Sequence, residues 1–585
     1  RRDPRSTITF DHEHNRAIAA RVAAIGSDGK LLPDADGKVQ HASLAEKLLV
    51  QVLVRMTNLI PGGGIWMNTQ RPEWNDANNA LVGYGVSVVT LNYLRRMIAF
   101  VRTQLWPSLD DAPLPISSAV VELLQAVATI LTQHRPLLDH PSIESTARRV
   151  LVDALASAGA DYRSQIYAKG LGSPVEVDPT TLVNLFDLTL EYVDHSLRAN
   201  RRPDKLFHSY NQLAFWEAPA QLEVTRLPLM LEGQVAALSS GLLAPAEVVD
   251  MLQALRASDL YRADLKTYLL YPDRALPGFM VRNRITESAW SSCPLFEAMS
   301  SHDDHRLAIR DETGAAHFHA DLTSGENLEA LLTQLGRETT WKELINTHAD
   351  KVREVYERVF NHRAFTGRSG GMFGFEGLGC VYWHMVAKLL LAVQETLRVA
   401  QASSSPHVPA LIEHYYEIRA GLGFNHSVQT FGAFPTDPYS HTPGHAGAQQ
   451  PGMTGQVKEE ILTRLGELGV EFVAGTVAFK PSFLRAAEFC PNPDTFRFVN
   501  AAGQEETLPL PTNALVFTLA GVPVVYCLGA GESRHTVVWS AEDVPASTEV
   551  SGTQLSAETG QALLQRTGKI HHLEIHLGPD FKPLD

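Results

Sequence analysis

Between about His41 and Leu468, apolar residues return every three or four positions in one segment after another, the period of an amphipathic helix. The first segment, SLAEKLLVQVLVRMTNLI, opens with Ser43 and Glu46 in capping-box spacing. Others include GVSVVTLNYLRRMIAFVRTQL, SAVVELLQAVATILTQH, PTTLVNLFDLTLEYVDHSLRAN, WKELINTHADKVREVYERVF and YWHMVAKLLLAVQETLRVA, and GQVKEEILTRLGELG closes the series. The periodicity thus predicts roughly a dozen helices. After Gly469 the period is lost, Val, Phe, Thr and Tyr become frequent, and Pro and Gly break the chain into short runs, which predicts a β-rich region. ALVFTLAGVPVVYCLGAG, interrupted by Gly521 and Pro523, reads as two buried strands joined by a turn rather than a membrane span. KIHHLEIHLGP alternates as a half-exposed strand should, and no fixed-period repeat is visible. The expected organisation is an N-terminal extension or cut end over 1–40, a mainly α domain over 41–468 and a β-rich domain over 469–585.

Composition narrows the classes. At 585 residues the chain exceeds what one hydrophobic core serves, while 44% hydrophobic and 20% charged residues exclude disorder. A net charge of -15, with basic residues scattered in short pairs such as Arg201-Arg202, repels a phosphate backbone, so nucleic acid is not expected as a partner. Cys293, Cys380, Cys490 and Cys527 lie far apart without C-x-x-C spacing and read as reduced, buried thiols. RRDPRSTITF lacks a signal-peptide apolar core; with no membrane span either, a cytoplasmic protein is expected. No Walker A, Rossmann or G-x-S-x-G pattern occurs, so no cofactor is expected. HFHAD, with His317, His319 and Asp321, offers no fourth ligand, and HDDH over His302 to His305 reads as a solvated turn, so no metal is expected either.

Three long polar loops interrupt the helices. Pro61 to Gly85 concentrates Trp66, Asn68, Gln70, Arg71, Glu73, Trp74, Asn75, Asp76 and Asn79. Aromatic faces stack on sugar C–H surfaces, amides and Arg bond hydroxyls, and a carboxyl group can protonate a glycosidic oxygen. The plain alternative is that Asn75 or Asp76 caps the next helix. Asn361 to Gly379 carries Arg368 and Glu376, with Trp383 just beyond; Glu376 is a candidate base or a helix-start acid. Phe424 to Gly455 carries Asp437, Tyr439, His441, His445, Gln449 and Gln450, suited to hydroxyl or phosphate recognition or simply to a Pro-stiffened surface loop. Glu459 and Glu460, in the helix that follows, are further candidate bases.

EWNDANNALVG resembles the DWNDGMN segment of the inverting glycoside phosphorylases of the cellobiose and chitobiose phosphorylase type, and of the related domain in cyclic glucan synthases; Glu73 and Ala77 stand where those enzymes have Asp and Gly. The resemblance implies an (α/α)6 toroid with β-rich accessory domains, Asp76 as general acid, and Trp74 and Asn75 beside it in the sugar site. The leading expectation is an enzyme that cleaves an oligo- or polysaccharide with inversion, Asp76 acting as acid and Glu376, Glu459 or Glu460 as base. Inverting hydrolysis sets such carboxyl groups about 6.5–9.5 Å apart. The alternatives are a phosphorylase, in which inorganic phosphate replaces the base, and a non-catalytic glycan-binding toroid.

Overall fold

The structure, a computed structural model, describes residues 10–34, 36–67, 83–108, 112–217, 219–272, 278–360, 381–422, 456–473, 475–540 and 546–585. It divides into two compact units, Arg1–Tyr382 with Ala433–Gln449, and Trp383–Gly432 with Gln450–Asp585.

In the first unit, helices Leu44–Met56, Val88–Phe100, Ser118–His134, Ser145–Lys169 and Pro179–Arg198 bury one apolar stripe each in a shared core that includes Leu53, Leu91, Val120, Leu155 and Leu185. The Ser43 hydroxyl caps the first of these through the Glu46 amide at 3.1 Å. Only that half of the capping box forms. The Glu46 side chain is buried and accepts instead from the Ser117 amide (3.0 Å) and hydroxyl (2.8 Å), joining two helix starts far apart in sequence.

Beside this core lies a five-stranded antiparallel sheet, ordered Leu59–Ile60, Gly64–Trp66, Gly85–Ser87, Tyr210–Glu217 and Ala220–Arg226. The turn Pro61-Gly62-Gly63 between its first two strands is clamped by buried polar groups. Arg148 donates to Pro61 O at 2.8 Å, Arg226 to Gly62 O at 2.8 Å, Asn211 to Gly63 O at 2.7 Å, and the Ser196 hydroxyl accepts from the Gly62 amide at 3.1 Å. Gly64 has φ +141°, and a Cβ there would stand 2.7 Å from the Ser87 carbonyl oxygen. Gly64→Ala is therefore expected to destabilise the protein by about 1–3 kcal/mol through strain and overpacking, measured as a lower urea midpoint.

Residues 278–360 form a small α/β module with a core of its own. Strands Ala308–Arg310 and Ala316–Phe318 pair antiparallel, and helices Pro294–Ser301, Gly325–Leu335 and Lys342–Phe360 pack around Trp290, Phe296, Phe318 and Tyr356. His317 is a structural residue here, with Nε2 2.9 Å from Asp311 and Nδ1 on the Asn283 carbonyl oxygen. The expected helix-rich region is present, but the described residues do not show a toroid. Their helices serve separate cores, interrupted by the five-stranded sheet and the module.

The second unit joins helices Trp383–Ala402, Val408–Ala420 and Gln456–Glu467 to the β-rich part. The two strands expected around Gly521 form as Ala514–Leu519 and Val522–Leu528, paired antiparallel through Ala520 and Gly521, both at positive φ. Ile570–Leu577 is not a half-exposed strand. It lies second from Ala514–Leu519 in the order of a five-stranded sheet, parallel to Val522–Leu528 on one side and antiparallel to Arg534–Trp539 on the other, and none of its residues is exposed. Among the described residues no helix is long and apolar enough to cross a membrane.

Candidate functional site

The loop expected to carry the general acid springs from the middle of the first unit's sheet. Its feet are the strands Gly64–Trp66 and Gly85–Ser87, which pair antiparallel, not two helices as the periodicity suggests. They stay paired to the loop's edge: the Met67 amide donates to Gly85 O at 2.9 Å and the Gly83 amide to Met67 O at 2.6 Å. The Trp66 indole N–H donates to Gly83 O at 3.0 Å, so this tryptophan, half-buried, braces the base of the loop. Asn68, Gln70, Arg71, Glu73, Trp74, Asn75, Asp76 and Asn79 lie outside the described residues, as do Arg368, Glu376, Asp437, Tyr439, His441, His445, Gln449 and Gln450.

Around those feet the fold assembles a buried, tyrosine-rich cluster beside one carboxylate. Met67 and Tyr84 pack against a cluster of Val89, Tyr210, Leu227, Met230 and Tyr271. Glu232, in the first turn of the Leu231–Ser239 helix, accepts the Tyr210 hydroxyl hydrogen bond at 2.8 Å. A helix N-terminus favours negative charge, so the position suits a carboxylate. Tyr382, the last residue of the first unit to follow the Asn361 to Gly379 loop, senses the same group: burial first, and then the charge of Glu232, push its hydroxyl above the ordinary tyrosine value, so it remains a donor. The helix is fixed to the strand by Gln234, whose amide donates to Phe207 O (2.7 Å) and Met230 O (2.8 Å) and accepts from the Phe207 amide (2.8 Å). Gly233 allows the contact, because a Cβ there would meet the Ser209 hydroxyl at 2.3 Å and its Cα at 2.9 Å.

The second unit gathers the other described candidates. Trp383 is buried at the start of its helix. His384 Nε2 lies 3.1 Å from Glu459 Oε1 across two helix starts; the Glu459 side chain is 4% exposed, and its Oε2 accepts no hydrogen bond among the described residues. Burial lowers the His384 pKa, with Glu459 partly opposing. Glu460 is half-buried, accepts from the Gln456 amide, and has its carboxyl pushed up by desolvation.

Sequence reasoning missed Glu232. It sits inside an ordinary helix, and its partner Tyr210 lies in KLFHSYNQLAFW, a segment whose polar and aromatic mixture was the one available signal.

Residues 276–363 match the family model described as GH149 phosphorylase insertion domain 2. The match coincides with the module that has its own core. No curated protein matches the chain. The match relates this module to glycoside phosphorylases, without singling out the cellobiose and chitobiose phosphorylase type.

Proposed function

We propose that this protein is a glycoside phosphorylase that cleaves an oligo- or polysaccharide with inorganic phosphate. The observation that carries the reading is the match of residues 276–363 to a phosphorylase insertion domain. Asp76, in the loop rooted at Trp66 and Gly83, donates its proton to the glycosidic oxygen as the bond to the anomeric carbon breaks. A phosphate oxygen attacks that carbon from the opposite face, so a sugar 1-phosphate of inverted configuration and a shortened saccharide form. Phosphate supplies the nucleophile, and no protein base is required. Glu232, half-buried, takes sugar hydroxyls through its carboxylate. Glu232→Gln is accordingly expected to raise the KM for saccharide about tenfold, the cost of about one charge-assisted hydrogen bond, while the KM for phosphate stays put.

The test compares products from β-glucan oligosaccharides with and without phosphate. Sugar 1-phosphate formed only when phosphate is present supports the reading; reducing sugar released equally without phosphate overturns it.

A further inference from the structure

Leu227, a member of the tyrosine-rich cluster, also lines a cavity of about 750 Å³ in the first unit. Arg202, Asp204, His208, Arg226 and Asp259 line it, against walls of leucine, proline and alanine. Its polar groups are held in place before any ligand arrives. Asp204 accepts from Arg202 Nε at 3.0 Å and from the Leu206 amide at 3.2 Å, within a turn where Lys205 has φ +70°. Arg226 donates through Nη2 to Gly62 O (2.8 Å) and Ala199 O (3.1 Å) and through Nη1 to Asn200, which leaves its Nε–H without a hydrogen-bond partner among the described residues. His208 Nδ1 is 3.2 Å from Leu227 O. A carbonyl oxygen only accepts, so Nδ1 carries the hydrogen and Nε2 is a bare acceptor. Burial, outweighing that hydrogen bond and helped by Arg226 and Arg202, brings the His208 pKa down to about 4, so the ring is neutral at neutral pH.

The charges in the lining cancel. Arg202 is paired with Asp204, His208 carries no charge, and the two remaining charged groups of the lining, Arg226 and Asp259, are of opposite sign. An anion would gain Arg226 and meet two carboxylates, whereas a neutral ligand with many hydroxyls uses every group: hydroxyl hydrogens for His208 Nε2, Asp204 and Asp259, hydroxyl oxygens for Arg226. We infer that this cavity is a second binding site, for one or two rings of a neutral saccharide, and that it does not take phosphate. Leu227 belongs also to the tyrosine-rich cluster, and Leu227 to Leu229 lead directly into the helix start that carries Glu232, so an occupant braces the segment that positions that carboxylate.

The inference takes its ligand class from the proposed saccharide function, but its test needs no turnover, so the two can fail separately. Titration calorimetry of the full chain with cellotriose, laminaritriose and maltotriose, and in parallel with inorganic phosphate, is repeated on His208→Phe and Ala257→Trp. His208→Phe removes the acceptor, and Ala257→Trp fills the mouth from an exposed position, so it reports even if the first variant fails to fold. Each folded variant is expected to lose one saccharide equivalent, or to bind it about tenfold more weakly, with phosphate binding unchanged. Saccharide binding that neither variant alters, no trisaccharide binding at all, or loss of phosphate binding in Ala257→Trp would each overturn the inference, the last by assigning the cavity to an anion.

Discussion

Asp76→Asn is expected to lower phosphorolysis by about 10²–10⁴-fold, the usual worth of a positioned general acid, with the saccharide KM and the fold unchanged. Asn keeps the size of the side chain and can still meet a hydroxyl, but it has no proton to give. The loss should shrink for a saccharide with an activated leaving group, whose oxygen departs without protonation; a variant that merely binds poorly would lose activity on both substrates alike. Steady-state rates on a plain oligosaccharide and on its aryl glycoside separate these outcomes, and turnover that survives Asp76→Asn on the plain substrate removes the acid from the mechanism. A non-catalytic glycan-binding protein shows no turnover to lose. Glu232→Gln is the contrasting variant, because Glu232 is assigned to sugar binding and its effect should fall on KM. A collapse of kcat at position 232 would instead make that carboxylate part of the proton transfer.

The reach of the sequence differs from element to element for physical reasons. The helices from Leu44 to Arg198 were legible because each buries a single stripe, which imposes its period on the sequence. What a stripe faces leaves no mark. The pattern in Lys342–Phe360 is the same whether it lines a ring of helices or closes the core of a separate module, and the structure shows the module. The strands Gly64–Trp66 and Gly85–Ser87 are too short to alternate legibly, so the first loop looked like a link between helices. Ile570–Leu577 alternates in sequence, but alternation does not reveal that strands flank it on both sides; its polar positions are met by neighbours, His571 by Glu506 at 3.0 Å and by His572 at 2.7 Å. The Trp66 indole secures the loop's base, which no local pattern announces, and Glu232 is invisible in sequence because its contact to Tyr210 is tertiary.

Glu467 carries the largest stability effect expected in the second unit. Its side chain is 2% exposed and ends the Gln456–Glu467 helix among three donors: the Tyr415 hydroxyl at 2.6 Å, Arg419 at 2.7 Å and Arg464 at 2.6 Å. Arg464 reaches on to Glu488 at 2.6 Å, and Tyr415 is itself buried, so the carboxylate ties two helices to the segment that enters the β-rich part. Burial, and next the Glu467 charge, push the Tyr415 hydroxyl well up, which keeps it a donor. Close by, Gln394 donates to Thr463 O at 2.7 Å and leaves no room at Gly466, where a Cβ would fall 2.0 Å from its oxygen, so the helices cannot slide to compensate. Glu467→Leu removes the buried carboxylate shared by Arg419 and Arg464 and leaves the Tyr415 hydroxyl buried without that acceptor, and should cost about 3–5 kcal/mol, as breaking a buried ion pair from one side does. Glu467→Gln keeps the shape and one acceptor and should cost less. Glu549→Gln, which removes only the exposed pair with Arg534, is the control and should cost about 0–1 kcal/mol. Urea midpoints at constant m decide the matter: a Glu467→Leu midpoint no lower than that of Glu549→Gln would mean that the helices are held by their apolar contacts alone.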